Sequence, residues 1–369
     1  MMFLINSSYH LWVPSYTFND CEYKSPIMIF LKICELFISL FCVMYTLKLC
    51  ALIWKIRVFH VNMNILAIAY LIQYVECFLG KWLMLSHQIG LIRVDGIPEC
   101  KAFKNWWTDE PSEIAKAKNA HEIFPFLLGG FLLWHYMYSM IGVIFSFCAE
   151  RTMATVLSKD YEKHRRTYIS FVILVATHCA TLTMSYRSFF EISNFVSAIV
   201  GSMAFVIVSC LIFVIIMFAN LKINSIQSRT THVYVYTLAF RFQVEENIRS
   251  LKLVYRILIC LGIYMFIVCI ILFFLFFDIF PASTIIYTLL LENSIHLNPI
   301  VICSVVLFSI DPWKKAFFHD YPILRLRIFS MCFNSTLPAS NTKSYRGDPN
   351  ESDVYFKQLQ TSWHGKQIT

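Results

Sequence analysis

FVSAIVGSMAFVIVSCLIFVIIMFA, residues 195–219, runs for 25 positions without one formally charged side chain. As a helix rising 1.5 Å per residue this stretch is about 37 Å long, enough to cross a hydrocarbon core of about 30 Å. Six further stretches have the same character: 33–54, 63–85, 123–149, 168–186, 257–277 and 284–310. Each reaches the roughly 20 mainly apolar residues that a spanning helix needs. The first tolerates Glu35 and Lys48, the second Glu76 and Lys81, the third His135, the fourth His178 and the last Glu292. The reading is an all-α membrane protein, a bundle of seven transmembrane helices.

Composition agrees. Of 369 residues 58% are hydrophobic and 15% charged, where soluble domains carry roughly 25% charged residues. The net charge of +8 does not point to nucleic acid, because the bases lie in short segments between apolar blocks. Counted with the N-terminus outside, the connections on the inner side hold twenty-one Lys and Arg and those on the outer side seven, the bias that sets orientation in a bilayer. The expected organisation is an extracellular tail over 1–26, the bundle over 27–318 with a GPCR-like N-terminus outside, and a cytoplasmic tail over 319–369. Met1 to Ile5 turn polar at Asn6 and lack a basic flank, so the first span is expected to act as the insertion signal. Asn6-Ser7-Ser8 is a glycosylation acceptor on the outer side. Residues 236–256 read as a cytoplasmic helix running into the sixth span, with Arg241 and Glu245 four apart on one face. Residues 311–318, beginning Asp311-Pro312-Trp313, suit a short amphipathic helix on the membrane surface.

Of thirteen cysteines ten fall inside apolar blocks, where cysteine behaves as a small hydrophobe. Cys21 and Cys100 alone lie in polar segments on the outer side, either as a disulfide or as two free thiols.

Ionisable groups within spans are costly, about 3 kcal/mol at the bilayer centre on insertion scales, and so mark candidate sites. Glu76, His135 and Glu292 fall at upper to middle depth, and with Trp134 they outline a ligand pocket. Glu292 also stands one turn from His296, and Lys32 one turn from Glu35, so local pairing is an alternative. At the inner end of the third span Glu150-Arg151 matches the position of the rhodopsin-like Asp-Arg-Tyr motif, with Thr152 in place of its tyrosine. The alternative is ordinary positive-inside charge. In the seventh span Asn298-Pro299 removes a backbone hydrogen bond and crowds the carbonyl of Ile295, which predicts a bend. The dipeptide resembles the rhodopsin-like Asn-Pro, with Ile302 where that motif has tyrosine. Glu150, Arg151, Arg241, Asn298 and Pro299 are the candidate coupling and switch residues.

Several stretches together resemble the nematode serpentine receptor class epsilon (Sre) family. They are Phe59-His60-Val61-Asn62, Glu150-Arg151 with Ala154-Thr155, Asp160-Tyr161-Glu162-Lys163, the run from Tyr236 to Gln243 with Glu246-Asn247-Ile248-Arg249, and His296-Leu297-Asn298-Pro299. The resemblance implies a chemosensory G-protein-coupled receptor in the plasma membrane of sensory neurons, binding a small external chemical and activating a heterotrimeric G protein. It implies no ligand and no catalytic residue. A channel or secondary transporter is the alternative; it predicts inverted halves and helices broken by Gly or Pro, for which Pro125, Gly129-Gly130 and Pro299 are the available breaks. No span contains Asp and no His-Glu-x-x-His pattern occurs, so neither an enzyme nor a cofactor is called for.

Overall fold

The computed structural model describes residues 2–5, 9–14, 21–92, 108, 110–117, 120–121, 123–157, 166–192, 195–229, 238–277, 279–280 and 283–320. Its seven helical spans are long and apolar enough to cross a membrane. The first is α1 (Pro26–Lys55). The second is the pair α2 (Val61–Ile72) and α3 (Tyr74–Gln88). Then come α4 (Phe124–Val156), α5 (Thr167–Phe189), α6 (Phe195–Arg229) and α7 (Leu238–Phe276). The seventh is the pair α8 (Thr284–His296) and α9 (Asn298–Ser309), followed by the short α10 (Asp311–Asp320). The cytoplasmic helix expected over 236–256 and the sixth span are thus one continuous element.

Local chemistry sets the ends. Ser25 Oγ accepts the N–H of Met28 at 3.3 Å and Pro26 opens α1, since proline at the first turn forfeits no helical bond. Pro125 does the same for α4. It starts that helix rather than breaking it, and Gly129-Gly130 lies within the unbroken helix. Their glycines serve close approach instead: a methyl group on Gly129 would stand 2.5 Å from the carbonyl oxygen of Gly80 on α3. Small residues are what let membrane helices pack backbone to backbone.

The bend expected at Asn298-Pro299 is present. Proline has no N–H to give Ile295, and Ile300 N–H turns back to Leu297 O at 3.1 Å. The His296 carbonyl left over by this turn accepts the Tyr74 hydroxyl at 2.9 Å, as a freed polar group inside a bilayer requires. A second interruption at Gln73, between α2 and α3, involves no proline. There Glu76 N–H bonds to Gln73 O at 3.0 Å, a tighter turn than an α-helix makes.

Helix α4 is the central strut, packed on α2, α3, α5, α6 and α7. Helices α6 and α7 face outward with large exposed side chains such as Ile215, Phe218 and Phe266, the surface that lipid covers. On the inner side α10 docks through Trp313, whose indole N–H donates to Ile56 O at 2.8 Å, and Phe317, which meets Tyr45 edge-on.

The outer end was not foreseen. Met2–Ile5 (β1), Tyr9–Trp12 (β2) and Ala115–Ala117 (β3) form a small sheet in the order β2-β1-β3, antiparallel then parallel. Both of its faces are packed. Phe3, Ile5, Leu11 and Val13 join a core with Met84, Phe126, Leu133 and Phe189. Met2 and Trp12 pack with Ile114, Ala198 and Trp134. Within the segment expected as an extracellular tail, β1 and β2 are packed against residues of α3 to α6.

Candidate functional site

Among the described residues, four polar groups lie through the bundle, and each ties different helices together. In the outer half Lys32 and Glu35 of α1, Lys81 of α3 and Glu292 of α8 form one buried ion cluster. Lys32 Nζ lies 2.9 Å from Glu35 and 3.1 Å from Glu292. Lys81 pairs with Glu35 and stands 3.9 Å from Glu292. Two ammonium groups and two carboxylates sum to zero, which is how such groups are tolerated away from water. The local pair Lys32 with Glu35 is present as the spacing predicts. Glu292, however, turns to the two lysines and not to His296, whose Nδ1 lies 3.3 Å from Cys77 Sγ.

Beside it, Glu76 Oε1 is 2.7 Å from His135 Nδ1, and His135 Nε2 is 3.4 Å from His178 Nδ1. This carboxylate and imidazole chain links α3, α4 and α5. Glu76 and His135 therefore meet, while Glu292 belongs to the separate ion cluster. Trp134, one residue away, directs its indole N–H to Trp12 O at 2.8 Å.

At mid-depth the Tyr136 hydroxyl donates to Asn298 Oδ1 at 2.7 Å. The asparagine of the bend is thereby held from α4. Sequence reading passed over Tyr136, since one tyrosine among 19 gives no local signal.

At the inner end Arg151 is wholly buried. Its Nη2 donates to Glu150 at 2.6 Å, and its Nη1 to Asn247 Oδ1 at 3.1 Å and Ser250 Oγ at 3.2 Å. Asn247 Nδ2 reaches Thr155 Oγ1 at 3.3 Å and Asn220 Oδ1 at 3.4 Å. One guanidinium thus clasps α4 to α7, and the amides carry the clasp to α6. Burial separates Arg151 from ordinary positive-inside charge, which stays in water. Thr155 and Asn247 entered the sequence reading only within the stretches that carry the family resemblance, and Asn220 and Ser250 were not singled out. The signal available was that an arginine inside a bundle needs acceptors for five donors.

Of the remaining candidates, Cys21 is disulfide-bonded, and its expected partner Cys100 lies outside the described residues. Asn6 and the Arg241 side chain also lie outside them.

His60 closes this inner layer between α1 and α2. Its Nδ1 accepts the Asn62 N–H that opens α2, and its own backbone N–H donates to Glu246 Oε1 at 2.6 Å. Burial pushes the imidazole down to about 4, with Glu150 opposing and Arg151 adding to the shift. Since an unfolded histidine titrates near 6.5, acid favours the unfolded chain. The contribution of His60 is full above about pH 6.5 and is lost as pH falls toward 4. The thermal midpoint of the purified protein should fall across that window. His60→Asn, which keeps an N-cap acceptor, should flatten the fall; an unchanged profile in the variant would remove His60 as its source.

A seven-helix bundle with a bent seventh span, an arginine near the end of the third and a short helix after the seventh is the multi-pass, GPCR-like membrane architecture. The chain belongs to the Sre G protein-coupled chemoreceptor family, whose profile matches residues 1–364. It is 32% identical over 366 residues to serpentine receptor class epsilon-38 of Caenorhabditis elegans, covering 95% of this chain and 97% of the relative. It is 29% identical over 367 residues to serpentine receptor class epsilon-37 of the same organism, covering 98% and 99%. No solved structure matches the chain. The family is one of receptors and not of enzymes.

Proposed function

We propose that this receptor sits in the plasma membrane of sensory neurons, binds an external chemical at the outer end of the bundle and activates a heterotrimeric G protein at the inner end. The observation that carries the reading is the Arg151 clasp. A fully buried guanidinium bonded to α7 through Asn247 and Ser250 holds the inner ends of α4 and α7 together, which describes a resting arrangement. Release of the clasp separates these ends and presents Arg151 to a partner. Tyr136 ties the bend in the seventh span to α4, the helix that carries Arg151 at its inner end. A ligand that favours the released arrangement shifts the balance only by its differential affinity for the two.

The test is expression in cells reporting cAMP, cGMP or calcium, with surface level measured in parallel. A hydrogen bond to a charged group contributes about 1.5 to 3 kcal/mol. Asn247→Ala should therefore raise signalling without ligand, by roughly ten- to a hundredfold in the active-to-resting ratio. Arg151→Ala at the same surface level should abolish the response to any activating chemical. Ion currents or solute uptake that persist without G protein would overturn the reading in favour of a channel or transporter.

A further inference from the structure

The sheet at the outer end blocks the place where the receptor reading puts a ligand. Trp12 stands 4.5 Å from Trp134, ring to ring and edge-on, and its backbone carbonyl accepts the Trp134 indole N–H. Trp134 in turn stacks on Tyr138 at 5.6 Å, and Tyr138 is fixed by Ser188 at 2.6 Å. The wall that Trp12 touches is thus a rigid aromatic face with one donor. Around it lie Met2, Ile114 and Ala198, none of them charged. Next to Trp12, Val13 fills the notch over Gly130, where even a methyl group would collide with it.

Within the sheet the occupant is held on one side only. The strand order makes β2 the edge strand, paired only with β1, while β1 keeps its second pairing to β3. Departure of residues 9–12 would leave the pairing of β1 with β3 intact, because an edge strand has a neighbour on one side only.

We infer that Trp12 is a built-in substitute for the ligand, and that the external chemical is a small neutral aromatic molecule with one hydrogen-bond acceptor oxygen, which displaces β2 and takes over the Trp12 ring and carbonyl positions against Trp134. The ring satisfies the aromatic face formed by Trp134 and Tyr138. The oxygen satisfies the indole N–H that would otherwise be left buried without a partner. A neutral ligand matches the apolar neighbours Met2, Ile114 and Ala198, which offer no counter-charge. This inference rests on the receptor reading, which supplies the site, and adds the chemical class.

The probes are acetophenone and its near-isostere α-methylstyrene, in which a CH2 group replaces the oxygen. The full chain in lipid nanodiscs carries Trp12→Ala, which removes the competing ring and loosens β2, so that a probe's oxygen competes with the remaining residue-12 carbonyl for the Trp134 N–H. Filling a vacated apolar site stabilises a fold by mass action. Acetophenone should raise the thermal midpoint of Trp12→Ala by at least about 2 °C more than α-methylstyrene does. That excess should vanish when Trp134→Phe, which keeps a ring but loses the N–H, is added. In the otherwise unaltered chain, acetophenone should speed labelling of Leu11→Cys by a membrane-impermeant maleimide severalfold. Equal stabilisation by the two probes, an excess that survives Trp134→Phe, or no stabilisation at all would each overturn the inference. If Trp12→Ala does not reach the membrane, Trp12→Leu carries the same comparison. None of these readouts uses a G protein, so inert probes on a chain that signals to another chemical would sink the ligand class alone. Binding without any G-protein response would sink the receptor reading alone.

Discussion

Lys81→Met should strip the protein from the cell surface. The substitution preserves length and apolar bulk but leaves Glu35 and Glu292 sharing the single ammonium of Lys32, because Lys81 pairs with the first carboxylate and lies 3.9 Å from the second. All four groups are buried, with Lys81 3% and Glu292 3% exposed, so no water is at hand to solvate the excess negative charge. Removing one partner of a buried ion pair costs about 3 to 5 kcal/mol. A whole fold is typically stable by only about 5 to 15 kcal/mol. The double variant Lys81→Met with Glu35→Gln returns the cluster to one ammonium and one carboxylate, Lys32 with Glu292 at 3.1 Å. It should regain most of the lost surface level and thermal midpoint. Measured by surface immunostaining and by unfolding of the purified receptor, a single variant as stable as the parent would mean that the four charges do not act as one cluster. A double variant no better than the single would mean that bulk and not charge is at stake.

That cluster also marks the limit of what the sequence disclosed. Spans were legible because hydropathy belongs to a contiguous stretch: residues 195–219 announce a helix whatever surrounds them, and α6 (Phe195–Arg229) contains them. The bend at Asn298-Pro299 and the surface helix at residue 311 were legible for the same reason, as proline acts on its own turn. The partner of Glu292 was not. His296 is four residues away, whereas Lys32 is separated from Glu292 by 260 positions, and only the packing of α1 against the seventh span decides between them. The same applies at the inner end, where Arg151 meets Asn247 across 96 positions. The outer sheet escaped because its strands are four, four and three residues long, too short for alternation to register. Its parallel pairing of Phe3 with Ala115 leaves no trace in local pattern. The Gln73 interruption escaped because it carries no proline.

Gly129 and Gly201 give opposite expectations for the same substitution. Both lie inside long membrane helices, where alanine is the better helix former by about 1 kcal/mol. At Gly201 an added methyl group meets nothing within 4 Å, and Gly262 on α7 is equally open. Alanine there should leave surface level unchanged and raise the thermal midpoint slightly. At Gly129 the same methyl group would lie 2.5 Å from the Gly80 carbonyl oxygen and 2.8 Å from Met84. Backbone cannot swing aside as a flexible side chain can, so α3 and α4 must separate. Separation is resisted by the contact of Glu76 with His135, which ties the same two helices at 2.7 Å. Overpacking of a tight core costs about 1 to 3 kcal/mol. Gly129→Ala should therefore lower stability, and Gly129→Val, whose branched side chain adds two methyl groups at the crossing, should abolish surface expression. Identical responses to alanine at 129 and 201 would show that helix propensity, and not the backbone contact of α3 with α4, governs both positions.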